Sequence, residues 1–244
     1  VGTNKLITIA GISLGGVDAG NYVLQNTSAT TTGVITRKDV ALMGITAANK
    51  TYDGTTDAIV STAGVTNAVL VAGGMVDGDV VTVSATGSFA SKNVASTPIT
   101  VNLTSSYDGA DLGNYTITSQ PTTTASITAR SVILSASKVY DGNTDLTGDV
   151  TITTGVNGET LSYSGATASD SHVATAGKFI SAITLANGSG GLATNYVLPS
   201  LNATNAAVTI TAAPVTAALT NSSASKTYDG TTTATSFVPS WQFS

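Results

Sequence analysis

Few residues of this chain could carry out catalysis. Its 244 residues include a single histidine, His172, a single glutamate, Glu159, and no cysteine. A nucleophile–base–acid triad needs a base held within hydrogen-bond reach of both partners. His172 lies in a polar, loop-like stretch, where a solvated histidine is the ordinary outcome. We therefore expect no enzymatic activity and no cofactor.

One acidic segment imitates a calcium loop. Its oxygen-bearing residues occupy alternating positions like the first ligands of such a loop: Asp141, Asn143, Asp145 and then Asp149. However, Leu146 stands where the loop needs a glycine, and Ile152 stands where it needs a bidentate glutamate. The sequence therefore favours a solvated, Asp-rich turn over a metal site.

Three lysines recur two residues before a Tyr-Asp-Gly triplet: Lys50, Lys138 and Lys226. An internal Lys–Asn crosslink would suit a protein that must resist pulling, but it needs a buried acid beside the pair. Glutamate is nearly absent from the chain. We expect instead that each lysine stem covers apolar surface while its ammonium stays in water.

The triplet itself recurs at a fixed spacing. Its tyrosines lie 88 residues apart, from 52 to 140 and from 140 to 228, and the three copies are Tyr52-Asp53-Gly54, Tyr140-Asp141-Gly142 and Tyr228-Asp229-Gly230. A long fixed period is the signature of a tandem array of supersecondary modules. We interpret each triplet as a structural anchor in which Asp and Gly form a bend and the tyrosine ring covers a small core.

A second anchor recurs between the copies of the first. It is an Asn-Tyr pair, found at Asn21-Tyr22, Asn114-Tyr115 and Asn195-Tyr196. The tyrosines are separated by 93 and 81 residues, so the units absorb insertions, as surface loops do. We expect the rings to pack inward and the asparagines to tie down a turn.

These anchors divide the chain into four parts. Residues 1–39 are the C-terminal part of a repeat, 40–130 and 131–213 are complete repeats, and 214–244 are the N-terminal part of a further repeat. The first residues continue a strand-like run without a signal-like stretch, which is typical of a segment from a longer protein.

Alternating β-branched residues dominate the segments between the turns. Predicted strands include 6–9, 80–84, 99–103, 115–117, 150–153, 179–185 and 208–210. Glycines in Asp77-Gly78-Asp79 and Asn157-Gly158-Glu159 supply the positive φ angles of tight turns. The sequence predicts an all-β protein made of small antiparallel sandwiches, or alternatively β-grasp-like units, arranged as an elongated rod.

Composition excludes several partners. The net charge is −5 and the nine lysines and arginines are scattered singly, so we expect no nucleic-acid binding. The longest apolar stretch is interrupted by glycines and is far shorter than the ~20 residues of a spanning helix, so we expect no membrane insertion.

The anchors together resemble the YDG repeats of bacterial filamentous-haemagglutinin-like surface adhesins, which are exported by two-partner secretion. The resemblance rests on Lys-x-Tyr-Asp-Gly-x-Thr, on the Gly-Asn-Tyr of residues 113–115 and on the closing Ile127-Thr128. Repeat 131–213 departs from the pattern at residues 169–173 and 193–195.

The resemblance implies a long protein, secreted and displayed on the bacterial cell surface, whose repeats form a stalk and contact neighbouring repeats. Two alternatives stay open. The variable loops at 61–79, 104–113 and 186–194 could bind a glycan, a matrix protein or a host-surface protein. The low charge and the Thr-rich strands could instead favour self-association between cells.

Overall fold

The computed structural model describes residues 1–65, 74–220, 226–233 and 240–243. Within these ranges the chain is all-β, as predicted, and its helices are single 3-10 turns at Ala19–Asn21, Leu112–Asn114 and Ala193–Asn195. The chain divides into two compact units, Val1–Ala129 and Arg130–Ser244. No helix of the described part is long and apolar enough to cross a membrane.

The first unit contains twelve strands in the described residues. They are β1 (Gly2–Ala10), β2 (Ser28–Ile35), β3 (Lys38–Ala41), β4 (Thr46–Ala47), β5 (Lys50–Thr51), β6 (Asp57–Ala58), β7 (Val60–Ser61), β8 (Thr82–Phe89), β9 (Ile99–Asp108), β10 (Tyr115–Thr118), β11 (Thr122–Ala125) and β12 (Ile127–Thr128).

Antiparallel pairing builds the larger sheet of this unit. Its strand order is β11-β9-β8-β6, and the long β8–β9 hairpin runs from the pair Thr82–Asp108 to the pair Phe89–Val101. Strands β4 and β7 form a short antiparallel pair, and β1 with β2 forms a separate hairpin. The strand predicted at 80–84 begins two residues later, at Thr82, because the backbone N–H and carbonyl of Val80 are bonded to Asp111.

The second unit contains nine strands in the described residues. They are β13 (Arg130–Ser131), β14 (Ile133–Val139), β15 (Val150–Thr153), β16 (Leu161–Ala168), β17 (Ile180–Asn187), β18 (Tyr196–Val197), β19 (Ala206–Thr211), β20 (Ala217–Leu219) and β21 (Trp241–Phe243).

The repeats at 40–130 and 131–213 are each closed by parallel pairs, which an antiparallel sandwich does not contain. In the first unit, β3 pairs with β10 and β5 pairs with β12. In the second unit, β13 pairs with β18 and β14 pairs with β19 over six residue pairs. The opening strand of each repeat therefore runs in the same direction as its closing strand. The hairpins β8–β9 and β16–β17 remain antiparallel, as predicted.

Period-two alternation explains how the cores form. Along β14, Leu134, Ala136 and Lys138 point inward, and along β19 the inward row is Ala206, Val208 and Ile210. In the first unit, buried residues such as Val40, Leu42, Phe89 and Val101 line the interior. Each such aliphatic or aromatic side chain contributes roughly 1.5–3 kcal/mol when it is fully removed from water.

The glycine turns adopt the expected backbone. Gly78 has φ of 92° and Gly158 has φ of 76°, in the left-handed region that favours glycine. The residue after each glycine donates its backbone N–H to a carbonyl three residues earlier, from Asp79 to Val76 and from Glu159 to Val156. The two turns are therefore equivalent in structure. Of the loop proposed at 61–79, residues 66–73 lie outside the described part.

Candidate functional site

The recurring lysine of the first repeat is bound inside its own loop. The Lys50 ammonium donates to Asp53 Oδ1 at 2.8 Å, to the carbonyl and hydroxyl of Thr55 at 2.9 and 3.1 Å, and to the carbonyl of Asp57 at 3.1 Å. It also lies 5.4 Å from the centre of the Phe89 ring, within cation–π range. The loop therefore surrounds one cation with oxygen atoms and an aromatic face.

The second repeat builds the same arrangement with a more buried lysine. The Lys138 ammonium lies 2.8 Å from Asp141 Oδ1, 3.1 Å from Asn143 Oδ1 and 2.7 Å from the carbonyl of Asp145. The side chain of Lys138 is 5% exposed, because its position on β14 places it in the inward row. Its charge is stabilised by a set of hydrogen bonds, as a buried charge requires.

The third copy forms the same kind of loop at residues 226–233. The Lys226 ammonium donates to Asp229 Oδ1 at 2.7 Å, to Thr231 Oγ1 at 2.8 Å and to the carbonyl of Thr233 at 2.7 Å. All these partners lie within eight residues of sequence. The lysine loop is therefore a local structure encoded by the signature itself.

The aspartate and the glycine of the signature shape this loop. The aspartate carboxylate accepts a backbone N–H from the residue two positions later in every copy: Thr55, Asn143 and Thr231. This is an Asx-turn. Gly54, Gly142 and Gly230 have φ of 81°, 85° and 77°, a region in which a side chain would strain the backbone.

The lysines also change the acidity of the carboxylates. The hydrogen bond from Lys138, and then the N–H of Asn143, hold the pKa of Asp141 below its ordinary value. Lys226 and Thr231 lower the pKa of Asp229 in the same way. At Asp53 burial acts to raise the pKa, but hydrogen bonds from Lys50 and Thr55 outweigh it and the pKa is lowered. All three carboxylates are therefore ionised at neutral pH.

This geometry corrects the expectation that each ammonium stays in water. The oxygen cage takes the place of the solvent shell, most completely around Lys138. The same geometry argues against an internal Lys–Asn crosslink. Asn143 lies within reach of Lys138, but the acid beside them, Asp141, has a side chain that is 48% exposed and a lowered pKa. A protonated, buried acid is what that chemistry needs.

The calcium candidates serve other partners. Asp141 and Asn143 bind Lys138, while the Asp145 carboxylate accepts the N–H and hydroxyl of Thr147 at 3.0 and 2.8 Å. The backbone carbonyl of Asp149 accepts the N–H of Ser137. In the described ranges no group of three or more His, Asp or Glu residues could hold a metal ion. The cation bound by Asp141 and Asn143 is the Lys138 ammonium.

The signature tyrosines differ in burial. Tyr52 is 1% exposed, as expected for a ring that covers a core, but Tyr140 is 39% exposed and Tyr228 is 92% exposed. The expectation of a core ring therefore fails for Tyr140 and for Tyr228. The backbone of Tyr140 still pairs like that of Tyr52, since Tyr52 donates its N–H to Thr128 and Tyr140 donates to Thr211.

The Asn-Tyr anchors join two distant turns in each complete repeat. The Tyr115 hydroxyl donates to Asp79 Oδ2 at 2.6 Å, and the Tyr196 hydroxyl donates to Glu159 Oε2 at 2.7 Å. Tyr115 and Tyr196 are buried, as expected, whereas Tyr22 is 70% exposed.

The asparagines of these anchors end the 3-10 turns. Their backbone N–H groups close the turns at Asn21, Asn114 and Asn195, and Asn195 is fully buried.

His172 lies apart from these groups: its ring is 72% exposed and its Nδ1 lies 2.9 Å from Asp170.

The sequence predicted neither the hydrogen bonds of the lysine loops nor the tyrosine–acid pairs. A signal for the first was present, because Leu134, Ala136 and Lys138 share one alternating row. For the second, the equivalence of the turns at Asp79 and Glu159 was visible, but their partners lie 36 and 37 residues away.

Comparison with known proteins supports the repeat assignment. A family model described as the YDG domain matches the chain twice, over residues 36–125 and 123–206. Searches of curated proteins and of solved structures gave no match. The two matches cover more than half of the chain and include the first two lysine loops and both tyrosine–acid pairs. This chain therefore belongs to the YDG domain family.

Proposed function

We propose that this chain is a non-enzymatic stalk segment of a large secreted bacterial surface adhesin, and that its repeats project a distal binding region. Membership of the YDG domain family and the tandem arrangement support the proposal. Its main support is the parallel pairing of opening and closing strands within one repeat.

This pairing places the two ends of a repeat far apart. Leu134–Val139 pair in register with Ala206–Thr211, so the chain enters at one end of this ladder and leaves at the other. Six residues of strand span about 20 Å at ~3.3 Å per residue. The chain ends of such a repeat are therefore separated by the length of the ladder.

The same pairing determines how the repeat bears a load. Tension applied along the chain pulls β14 and β19 in opposite directions along their common axis. The hydrogen bonds between them are then loaded together, in shear. A hairpin pulled from its open end breaks its bonds one after another instead. A repeat closed by a parallel ladder is therefore suited to a stalk that is pulled at its ends.

Single-molecule pulling can test this geometry, because the chain has no cysteine and handles can be attached at introduced ones. The shear variant carries Ile133→Cys and Thr211→Cys, and the matched unzipping variant carries Val139→Cys and Thr211→Cys. Ile133 and Val139 are both exposed, and Val139 pairs directly with Thr211. We expect a clearly higher unfolding force for the shear variant. Equal forces would remove the mechanical argument.

Surface display has a separate test. An antibody raised against residues 130–213 should label intact bacteria that produce the parent protein, without permeabilisation. Labelling that appears solely after permeabilisation would contradict the proposed location.

A further inference from the structure

An open groove lies beside the Asn-Tyr anchor of the first unit. Its volume is about 410 Å³, within the range of small-molecule sites. The residues that line it are Arg37, Tyr107, Leu112, Gly113, Tyr115 and Ile117. It lies where the closely paired strands β3 and β10 begin.

The apolar wall of this groove is fixed by the core behind it. Tyr107 and Ile117 pack against the cluster formed by Leu42 and Ile45. The Tyr107 hydroxyl lies 2.5 Å from Ser119 Oγ, and the Tyr115 hydroxyl is bound to Asp79. Both rings are therefore held in place before any ligand arrives, which lowers the entropy cost of binding.

Arg37 adds a cation to this wall. Its side chain is exposed, and the ion pairs found in the described part of the chain involve Lys50, Lys138, His172 and Lys226 but not Arg37. A guanidinium presents a planar fork that matches a carboxylate with two parallel hydrogen bonds.

Together these groups define a class of ligand. A pyranose ring can place its C–H face on a tyrosine, while a carboxylate on that ring can meet the guanidinium. We propose that this groove binds a sugar acid, that is, a carboxylate-bearing residue of a polysaccharide.

The second unit provides a built-in control. A groove of about 480 Å³ lies at the equivalent place, beside Tyr196, Ala193 and Leu198. Lys38 pairs with Tyr115 and Arg130 pairs with Tyr196, so Lys38 and Arg130 occupy equivalent positions. The residue before each is Arg37 in the first unit and Ala129 in the second. Arg130 itself donates to the carbonyl of Thr154 at 3.1 Å. This second groove lacks the exposed guanidinium and should not select a carboxylate.

The test is a titration of the full ¹⁵N-labelled chain, followed by NMR, with glucuronate and with glucose as its neutral match. We expect glucuronate to shift the Arg37 Nε–H signal and the amides of Leu112 and Gly113, and to leave those of Ala193 and Thr194 unchanged. Arg37→Ala should weaken binding about tenfold or more, and Arg37→Lys should fall between. Unchanged spectra elsewhere will show that these variants fold.

Several results would overturn the proposal. They are no binding of glucuronate, equal binding of glucose, equal affinity of Arg37→Ala, or equal shifts in both grooves. The proposal does not rest on the stalk function, because a repeat can bind sugar acids whatever load it bears.

Discussion

The Tyr196 hydroxyl donates a 2.7 Å hydrogen bond to Glu159 Oε2, and both residues are buried. The pair connects the 3-10 turn that precedes β18 with the glycine turn that precedes β16. Tyr115 and Asp79 make the same connection in the first unit. The tyrosine–acid pair is thus a repeated feature that holds two turns of each repeat together.

Replacing Tyr196 by Phe removes this bond and keeps the ring. Hydrogen bonds to charged groups contribute roughly 1.5–3 kcal/mol, so we expect the free energy of unfolding of the second unit to fall by about that amount. Urea unfolding will measure it. Tyr115→Phe is the comparison in the first unit: Asp79 is only half-buried, but the Tyr115 hydroxyl also accepts the Val76 N–H at 2.8 Å, so this change removes two bonds and should also destabilise its unit. A loss for Tyr196→Phe within the ~0.5 kcal/mol typical of surface changes would show that the pair is not stabilising.

Replacing Lys138 by Met keeps the stem and removes the ammonium. Asp141, Asn143 and the Asp145 carbonyl then lose a shared donor, so we expect a loss of roughly 1–3 kcal/mol. Lys50→Met should cost less, since the Lys50 side chain is 17% exposed and that of Lys138 is 5% exposed. Chemical denaturation will show which substitution lowers the free energy of unfolding more. A larger loss for Lys50→Met would contradict the idea that the hydrogen bonds of the buried Lys138 ammonium stabilise the repeat.

Acid should weaken the lysine loop of the second repeat. The pKa of Asp141 is lowered in the folded protein, chiefly by Lys138, relative to an ordinary value of 3.8. Its contribution to stability is therefore present above that ordinary value and is lost as pH falls towards the folded pKa. Melting temperatures measured across this acidic range should show a smaller pH dependence for Asp141→Asn than for the parent. Identical profiles would exclude Asp141 from the acid response.

Tyrosine burial predicts unequal costs of truncation. Tyr52→Ala should destabilise the first unit by about 3–5 kcal/mol, because a fully buried aromatic side chain leaves a cavity. Tyr140→Ala should cost much less, since its ring is 39% exposed. Calorimetry of the two variants will compare them. Equal costs would mean that Tyr140 contributes more packing than its exposure indicates.

Chelation should leave the melting temperature unchanged. The Lys138 ammonium already satisfies Asp141 and Asn143, and the Asp145 carboxylate binds Thr147. Melts with and without excess chelator test this expectation. A fall that added calcium reverses would establish a metal site at this loop.

The lysine loop shows how much short-range chemistry can determine. Its three copies, around Lys50, Lys138 and Lys226, adopt the same Asx-turn and the same lysine–aspartate contact. All the partners lie within eight residues, so the signature alone is sufficient. The repeat pattern, the strands of alternating Val, Ile and Thr, and the glycine turns were predictable from sequence for the same reason.

Tertiary structure decided the features that join distant residues. The pairing of Leu134 with Ala206 and the contact of Tyr196 with Glu159 depend on which strands become neighbours. Lys138 is buried because it lies in the inward-facing row of β14, the strand that pairs with β19. Tyr140, two residues later, is 39% exposed although its signature is the same as that of the buried Tyr52. Such outcomes depend on the free energy of packing summed over a whole repeat, and local sequence patterns do not contain that sum.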